Sequence, residues 1–168
     1  MVKSRPTIIA LSLLLAFAVI GCQKSTAEEQ QLQQGADFTL KDINGGTVSL
    51  ADFKGKVIIL DFFATWCPPC LKEVPHFIAL HDKYKDKGAM VIGISVDFMD
   101  AKGLRIFANE QKVNYPVLLN SGTVTKDYGP IQSIPTTVVL DKEGKIARRY
   151  IGYREQSVFE ADIQELLK

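Results

Sequence analysis

This sequence of 168 residues lacks an excess of positive or negative side chains. Its 20 Lys and Arg residues are nearly balanced by 19 Asp and Glu residues. A near-zero net charge provides neither a basic surface for nucleic acid nor an acidic tail. We therefore expect no nucleic-acid partner. Internal repeats are also absent, and the length suits one domain preceded by a targeting segment.

Metal ligands are few, since the sequence has three cysteines and two histidines. Cys67 and Cys70 form a C-x-x-C pair, which in other proteins can supply half of a zinc site. The third cysteine, Cys22, lies far upstream. His76 and His81 follow Cys70 in one predicted helix, where neither is placed to complete a tetrahedron with both thiols. We expect no metal and no cofactor other than the cysteine pair itself, and a zinc site is the alternative.

The C-x-x-C pair lies where a predicted buried strand, residues 57–63, ends and a predicted helix begins. The first turn of a helix has N–H groups without partners and the positive end of the helix dipole. A thiolate at Cys67 is stabilised there, so its pKa should fall and its reactivity should rise. Cys70, one turn on, is close enough to form a disulfide or to resolve a mixed one. The pattern predicts a redox-active disulfide, and a structural disulfide is the alternative, although so short a loop contributes little stability.

The N-terminal residues have the pattern of a targeting segment. An apolar stretch at residues 8–20 follows Lys3 and Arg5, and it is too short to span a bilayer comfortably but long enough for a signal-peptide core,. It ends in Val-Ile-Gly-Cys at 19–22, which resembles the bacterial lipoprotein box, in which a signal peptidase cuts before the cysteine and the thiol is lipidated. The alternative is an ordinary secreted protein in which Cys22 is incidental.

We therefore predict three parts: a lipoprotein signal peptide over 1–21, a lipid anchor and polar tether over 22–34, and one domain over 35–168. The tether is rich in Gln, Glu, Ser and Thr and has little apolar content,. This organisation predicts a membrane-anchored protein outside the cytoplasm. Its mature domain would then contain two thiols in an oxidising compartment.

Strands alternate with helices in the remaining sequence. Predicted strands cover residues 38–43, 47–50, 57–63, 90–96, 117–119, 136–140 and 146–151, and predicted helices cover 68–85, 100–112, 121–128 and 155–167. Leu104, Ile106 and Phe107 are expected on the buried side of the second of these helices. The order predicts a mixed α/β sheet covered by helices on both faces, with an N-terminal hairpin. In such sheets ligands are bound at the carboxyl ends of the strands, where Cys67 lies.

Four features of residues 35–168 resemble one family. They are the motif Trp66-Cys67-Pro68-Pro69-Cys70, Pro75 five residues further on, the sequence Ile134-Pro135-Thr136 before a strand, and the leading hairpin together with a segment over about 101–129. With these features the chain resembles the TlpA/ResA group of extracytoplasmic thiol–disulfide oxidoreductases, which have a thioredoxin fold with an N-terminal hairpin and a central insertion. The resemblance implies that Cys67 attacks a client disulfide and that Cys70 resolves the mixed disulfide.

The resemblance also implies a docking surface beside the two thiols. Trp66, Pro68, Ile134 and Pro135 are the expected client-binding residues. If Pro135 is the family's cis-proline and lies beside Cys67, the backbone of Ile134 is free to pair with an extended polypeptide. A trans proline in a simple turn is the alternative.

Two acidic residues have candidate roles in the chemistry of the thiols. Asp61 occupies the position of thioredoxin's buried carboxylate, where TlpA/ResA-type chains often have Asn. A buried carboxyl has a raised pKa and can accept the proton of Cys70 during resolution. Glu73 matches an acidic residue common in the ResA-like group that would tune the thiol pKa. The alternatives are an exposed Asp61 and a solvated Glu73.

Two other functions need to be compared with disulfide exchange. Copper-delivery proteins of thioredoxin fold have C-x-x-x-C and a distant loop histidine, whereas this chain has C-x-x-C and no histidine after His81. Peroxidases of the peroxiredoxin kind have Thr three residues before the reactive cysteine, where this chain has Ala64.

The expected direction of electron flow is reduction of the client. Pro68 and Pro69 remove two N–H donors from the first helical turn, which weakens stabilisation of the thiolate. Family likeness implies re-reduction by a membrane electron donor of the DsbD/CcdA type and apocytochrome c as a client, which would give a role in cytochrome c maturation. We expect the domain to act as a monomer.

Overall fold

The computed structural model describes residues 33–129 and 131–168, whose strands form a two-stranded and a five-stranded sheet. Two short 3-10 helices, Leu50–Phe53 and Lys85–Lys87, accompany the main elements. The main elements in chain order are β1 (Thr39–Lys41), β2 (Thr47–Ser49), β3 (Val57–Phe63), α1 (Pro68–Tyr84), β4 (Ala89–Ser95), α2 (Ala101–Glu110), β5 (Val117–Leu119), α3 (Val124–Asp127), β6 (Thr136–Leu140), β7 (Ile146–Ile151) and α4 (Gln156–Leu166).

The larger sheet has the strand order β5-β4-β3-β6-β7 and confirms the predicted mixed sheet. β3 pairs in parallel with β4, and β4 pairs in parallel with β5. β6 is antiparallel to both β3 and β7. The ends of β3 and β4 therefore meet the start of β6 and the end of β7 at one edge of the sheet, which we call the redox edge because Cys67 follows β3 there.

Every residue of β3 is buried, because β3 lies at the centre of the sheet and both of its faces are covered. Successive side chains of a strand point to opposite faces. Ile59 and Phe63 belong to a core cluster that includes side chains of α1, α2 and α4. Leu60 and Phe62 belong to a second cluster that includes residues of the N-terminal hairpin and of α3. The strand thus places residue 61 inside the first cluster.

The N-terminal hairpin is present as predicted, with β1 and β2 antiparallel. Its turn contains Gly45 and Gly46, which have φ values of 103° and 78° that side-chain-bearing residues rarely adopt,. The hairpin is attached to the sheet where the N–H of Ile43 donates to the carbonyl of Val117 in β5 at 3.1 Å. The segment predicted as an insertion forms α2, β5 and α3.

The buried side of α2 was predicted incorrectly in one respect, because Ile106 is 52% exposed. Leu104 and Ala108 are buried and Phe107 is half-buried. At 100° per residue, Ile106 is about 200° around the helix from Leu104, on the opposite side. Its apolar side chain alone suggested burial, whereas the helical period places it in solvent.

Within the described residues, no helix combines the length and the apolar content needed to cross a membrane.

Candidate active site

The two cysteines form a disulfide at the redox edge, with a Cα–Cα distance of 5.3 Å. Cys67 is the N-cap residue of α1, with φ −96° and ψ 105°, and its Sγ accepts a hydrogen bond from the N–H of Cys70 at 3.3 Å. Both residues are buried, with exposed fractions of 4% for Cys67 and 0% for Cys70. The predicted redox pair is therefore assembled by the junction of β3 and α1.

The start of α1 is determined by its prolines. Pro68 and Pro69 occupy the first helical positions, where a missing N–H leaves no helical hydrogen bond unmade,. The carbonyl of Cys67 accepts from the N–H of Leu71 at 3.1 Å and begins the helical ladder. Pro68 and Pro69 therefore have no N–H groups that could donate to a thiolate at Cys67. The N–H of Cys70 is the one that donates to Cys67 Sγ.

Asp61 is completely buried in the centre of the sheet. It lies in register between Gly93 of β4 and Thr137 of β6, six residues before Cys67. Neither carboxyl oxygen has a hydrogen-bond partner within the described part of the chain. Burial, and secondarily the nearby Glu73, raises the pKa of Asp61 well above its usual value,. The surface-exposed alternative for this residue is excluded.

Glu73 is also buried, one turn after Cys70 in α1. Its Oε1 accepts a hydrogen bond from the backbone N–H of Arg154 at 2.6 Å, and its Oε2 has no partner among residues 33–129 and 131–168. Burial raises the pKa of Glu73 to about 7, although the Arg154 N–H and the Arg154 charge act in the opposite direction. The alternative of a solvated helix residue is wrong.

Tyr115 is a neighbour of the two acids that sequence reasoning missed. Burial raises its pKa well above the usual value, and the charges of Asp61 and Glu73 add to the effect. Its ring lies over Gly93, where an added Cβ would be 3.3 Å from Tyr115 and 3.1 Å from Phe63. A glycine inside an apolar strand was the available signal that another group approaches the backbone closely.

The loop before β6 contains the one cis peptide bond of the described residues, between Ile134 and Pro135. This confirms the predicted cis-proline. The carbonyl of Pro135 accepts from the N–H of Gly152 at 2.8 Å. The N–H and the carbonyl of Ile134 have no hydrogen-bond partner in the described part of the chain, and its side chain packs against the cluster that contains both cysteines.

The turn before Cys67 is fixed by Asp97, which sequence reasoning also missed. Its carboxylate accepts from the backbone N–H of Thr65 at 3.0 Å and from the Thr65 hydroxyl at 2.9 Å. The Ser95 hydroxyl donates to the same carboxylate at 2.8 Å.

Trp66 is 67% exposed next to this bridge, and Pro68 is exposed as well. Both are accessible to an incoming client.

The histidines pack against tyrosines. The ring of His81 lies 6.1 Å from that of Tyr115, and the ring of His76 lies 5.8 Å from that of Tyr153. Burial lowers the pKa of His81, and the nearby Lys85 lowers it further.

Residues 33–129 and 131–168 contain no group of three His, Cys, Asp or Glu residues that could hold a metal ion. Cys22 and the signal segment lie outside the described residues.

Comparison with known proteins gives a family match and several structural neighbours. Residues 32–149 match the model of the AhpC/TSA family. The thiol-disulfide oxidoreductase ResA of Bacillus anthracis is 31% identical over 173 residues, which cover 99% of each chain. The crystal structure of a thiol:disulfide interchange protein of the thioredoxin family from Chlorobium tepidum TLS superposes with a TM-score of 0.76 at 27% identity, covering 82% of this chain and 98% of the other.

A third relative is described as an exposed lipoprotein. The crystal structure of the pneumococcal exposed lipoprotein thioredoxin of Streptococcus pneumoniae strain TIGR4 has a TM-score of 0.69 and 29% identity, and covers 78% of this chain and all of that chain (100%). Together with the mixed sheet and the hairpin, these neighbours confirm the predicted thioredoxin fold.

The raised pKa of Glu73 predicts a pH-dependent stability. Its folded pKa of about 7 exceeds the ordinary value of 4.5, so the folded state binds more protons than the unfolded state between these values. The free energy of unfolding should therefore fall as the pH rises from about 4.5 to 7, by up to about 3 kcal/mol at 1.36 kcal/mol per pKa unit. Urea unfolding of the oxidised protein at a series of pH values measures this decline.

Glu73→Gln should remove this part of the decline and leave the part due to Asp61. Glu110→Gln on the exposed side of α2 is the matched control and should behave as the unmodified protein does. An unchanged pH dependence in Glu73→Gln would contradict the proposed protonation of Glu73.

Proposed function

The chain belongs to the AhpC/TSA family of thioredoxin-like proteins, and from its similarity to ResA we propose that it acts outside the cytoplasm as a reductant of protein disulfides. It is a thiol–disulfide oxidoreductase whose redox-active pair is Cys67 and Cys70, and its clients are proteins that contain disulfides. The observation that carries the proposal is the disulfide at the N-terminus of α1, which belongs to the buried cluster that Ile134 packs against and lies one turn before the buried acid Glu73.

In the proposed cycle the reduced protein gives two electrons to the client. The thiolate of Cys67 attacks one sulfur of the client disulfide, a bond forms between them, and the other client sulfur leaves as a thiolate. Cys70, once deprotonated, attacks Cys67 Sγ and releases the second client thiolate. The client disulfide becomes two thiols, and Cys67 and Cys70 become the disulfide described above.

Asp61 and Glu73 are proposed to handle the proton of Cys70. A group can accept that proton at neutral pH only if its pKa is near the working pH. Burial raises the pKa of Asp61 well above its usual value and that of Glu73 to about 7. Both acids belong to the buried region that contains Cys70, which is itself fully inaccessible to solvent. They are therefore better placed than bulk water to exchange a proton with the resolving thiol.

The client is proposed to bind as an extended segment at the redox edge. The free N–H and carbonyl of Ile134 provide the hydrogen bonds of one added strand residue,. Trp66 and Pro68 provide exposed apolar surface next to the disulfide, whereas Pro135 is buried and shapes the loop through its cis peptide bond. Because these contacts involve backbone and general apolar surface, they are compatible with many client sequences.

A reductant in an oxidising compartment must be reduced again after each turnover. A membrane electron donor of the DsbD/CcdA type is the proposed source of the two electrons. Apocytochrome c is a proposed client, because its haem-attachment site C-x-x-C-H forms a disulfide that has to be opened before haem is attached. Cytochrome c maturation would then be the process that the protein serves.

Membrane anchoring through Cys22 is proposed from the sequence at residues 19–22. The description of the pneumococcal relative as an exposed lipoprotein supports it. A signal peptide over 1–21 and a tether over 22–34 would place the domain, 35–168, outside the cytoplasm on a membrane surface.

The two alternative functions receive less support from the site. Ala64 is fully buried beside the cysteines and provides no hydroxyl group, which a peroxidase of the peroxiredoxin kind would have at this position. The copper alternative needs a histidine in a distant loop, and the chain has none after His81.

The exchange mechanism predicts different behaviour for the two cysteines. In a Cys22→Ala background, Cys70→Ser should accumulate a mixed disulfide with intact insulin, whose chains are joined by disulfides, because resolution is blocked while Cys67 still attacks. Cys67→Ser is the matched control and should trap little, since Cys70 is completely buried. Non-reducing electrophoresis and mass spectrometry detect the trapped species. Equal trapping by both variants, or trapping by neither, would count against Cys67 as the attacking thiol.

The anchor predicts where the protein is found in the cell. Cys22→Ala should move the protein from the membrane fraction to the soluble fraction. Mass spectrometry should show that the attached lipid is lost, and disulfide-exchange activity should be retained. Ser25→Ala, in the adjoining tether, should leave both unchanged. An unmodified protein without the lipid mass, or a Cys22→Ala protein that retains it, would show that this cysteine is not the anchor.

A further inference from the structure

Exposed apolar side chains are concentrated at the redox edge. Five large hydrophobic residues are exposed in the described part of the chain, and four of them follow or end strands at this edge. These four are Trp66, Phe98, Met99 and Ile151, and the fifth is Ile106 on α2. Clustered exposed apolar residues mark binding surfaces more often than scattered ones do.

Phe98 is the most exposed of them, with a relative exposure of 107%, so that no described residue covers its ring. The backbone on either side of it is nevertheless fixed. Asp97 is bonded to Thr65 and Ser95. Asp100 caps α2 by accepting from the N–H of Gly103 at 2.9 Å. The ring is therefore presented on an ordered loop rather than on a free end.

Met99 has a different role from Phe98. Its side chain lies directly on Gly103 in the first turn of α2, where an added Cβ would overlap it. Met99 thus packs against the first turn of α2. Its exposed fraction of 42% is smaller than that of Phe98. Phe98 is the side chain of this loop that is available for a partner.

The Asp97–Thr65 bridge joins the loop of Phe98 to the turn that contains Cys67. The Asp97 carboxylate is 3.0 Å from the N–H nitrogen of Thr65, and Phe98 is the next residue, so its Cα lies within about 11 Å of that nitrogen. Thr65 lies in the turn that is closed where the N–H of Cys67 donates to the carbonyl of Ala64. An extended peptide advances about 3.3 Å per residue, so a bound client that passes from Cys67 to Phe98 needs a few residues to do so.

We propose that Phe98 is a specificity-determining residue that binds an apolar side chain of an extended client, within a few residues of the client cysteine attacked by Cys67. The proposal rests on the function proposed above and adds a preference to it. The occupant is an extended polypeptide segment, because the unpaired backbone of Ile134 lies at the same edge and can hold such a segment in register,. Asp97, the residue before Phe98, bonds to Thr65 in the turn that contains Cys67 and so joins this loop to the redox site.

The test uses two peptides, each with one cysteine in a mixed disulfide with glutathione. One has Leu at two, three and four residues on either side of the cysteine, and the other has Ser at these positions. The reduced protein should release glutathione from the Leu peptide about tenfold faster, equivalent to about 1.4 kcal/mol. Phe98→Ser should abolish this preference, and Phe98→Leu should retain most of it. All these proteins should reduce oxidised glutathione, which does not reach Phe98, at the same rate.

Ile106→Ser is the matched control, because it removes an exposed apolar side chain on α2, away from the redox edge. It should keep the full preference for the Leu peptide. A Phe98→Ser protein that keeps the preference, an unmodified protein that has none, or an equal loss in Ile106→Ser would each overturn the proposal. Failure of the unmodified protein to reduce any of the three disulfides would instead contradict the proposed function.

Discussion

The redox site depends on the burial of an ionisable group, Asp61, at the centre of the sheet with no partner in the described residues for either carboxyl oxygen. A carboxylate in such surroundings is strongly disfavoured relative to the neutral acid. A second buried acid, Glu73, lies near enough to raise the pKa of Asp61 further. The buried region that contains Cys70 therefore disfavours negative charge, and it is the setting of the proton transfer proposed above.

Two effects act on the thiolate of Cys67 in opposite directions. The N-terminus of α1 stabilises a negative charge, and the N–H of Cys70 bonds to Cys67 Sγ. Pro68 and Pro69 provide no further N–H groups, and the buried acids disfavour additional charge nearby. A strongly oxidising dithiol pair requires a stabilised reduced form. Because stabilisation of the reduced form is limited here, the pair is expected to reduce client disulfides rather than to oxidise client thiols.

Local sequence patterns predicted much of the architecture. The bounds of β3, β5, β6 and β7 agree with prediction, because apolar runs and turn residues delimit them, and the cysteine pair was found from its spacing alone. Contacts between distant segments were not predictable in this way. Tyr115 reaches the acids across β4, and Asp97 bridges to Thr65 over 32 residues of sequence. Ile106 was assigned to the core from its residue type, although the helical period places it outside.

The most direct test of this account is the reduction potential of the Cys67–Cys70 pair, measured at pH 7 in a series of dithiothreitol and glutathione buffers with counting of free thiols. The account predicts a value near that of thioredoxin, about −270 mV, or more negative. A value near that of DsbA, about −120 mV, would mean that the site stabilises its reduced form, and the assignment of this protein as a reductant would be wrong.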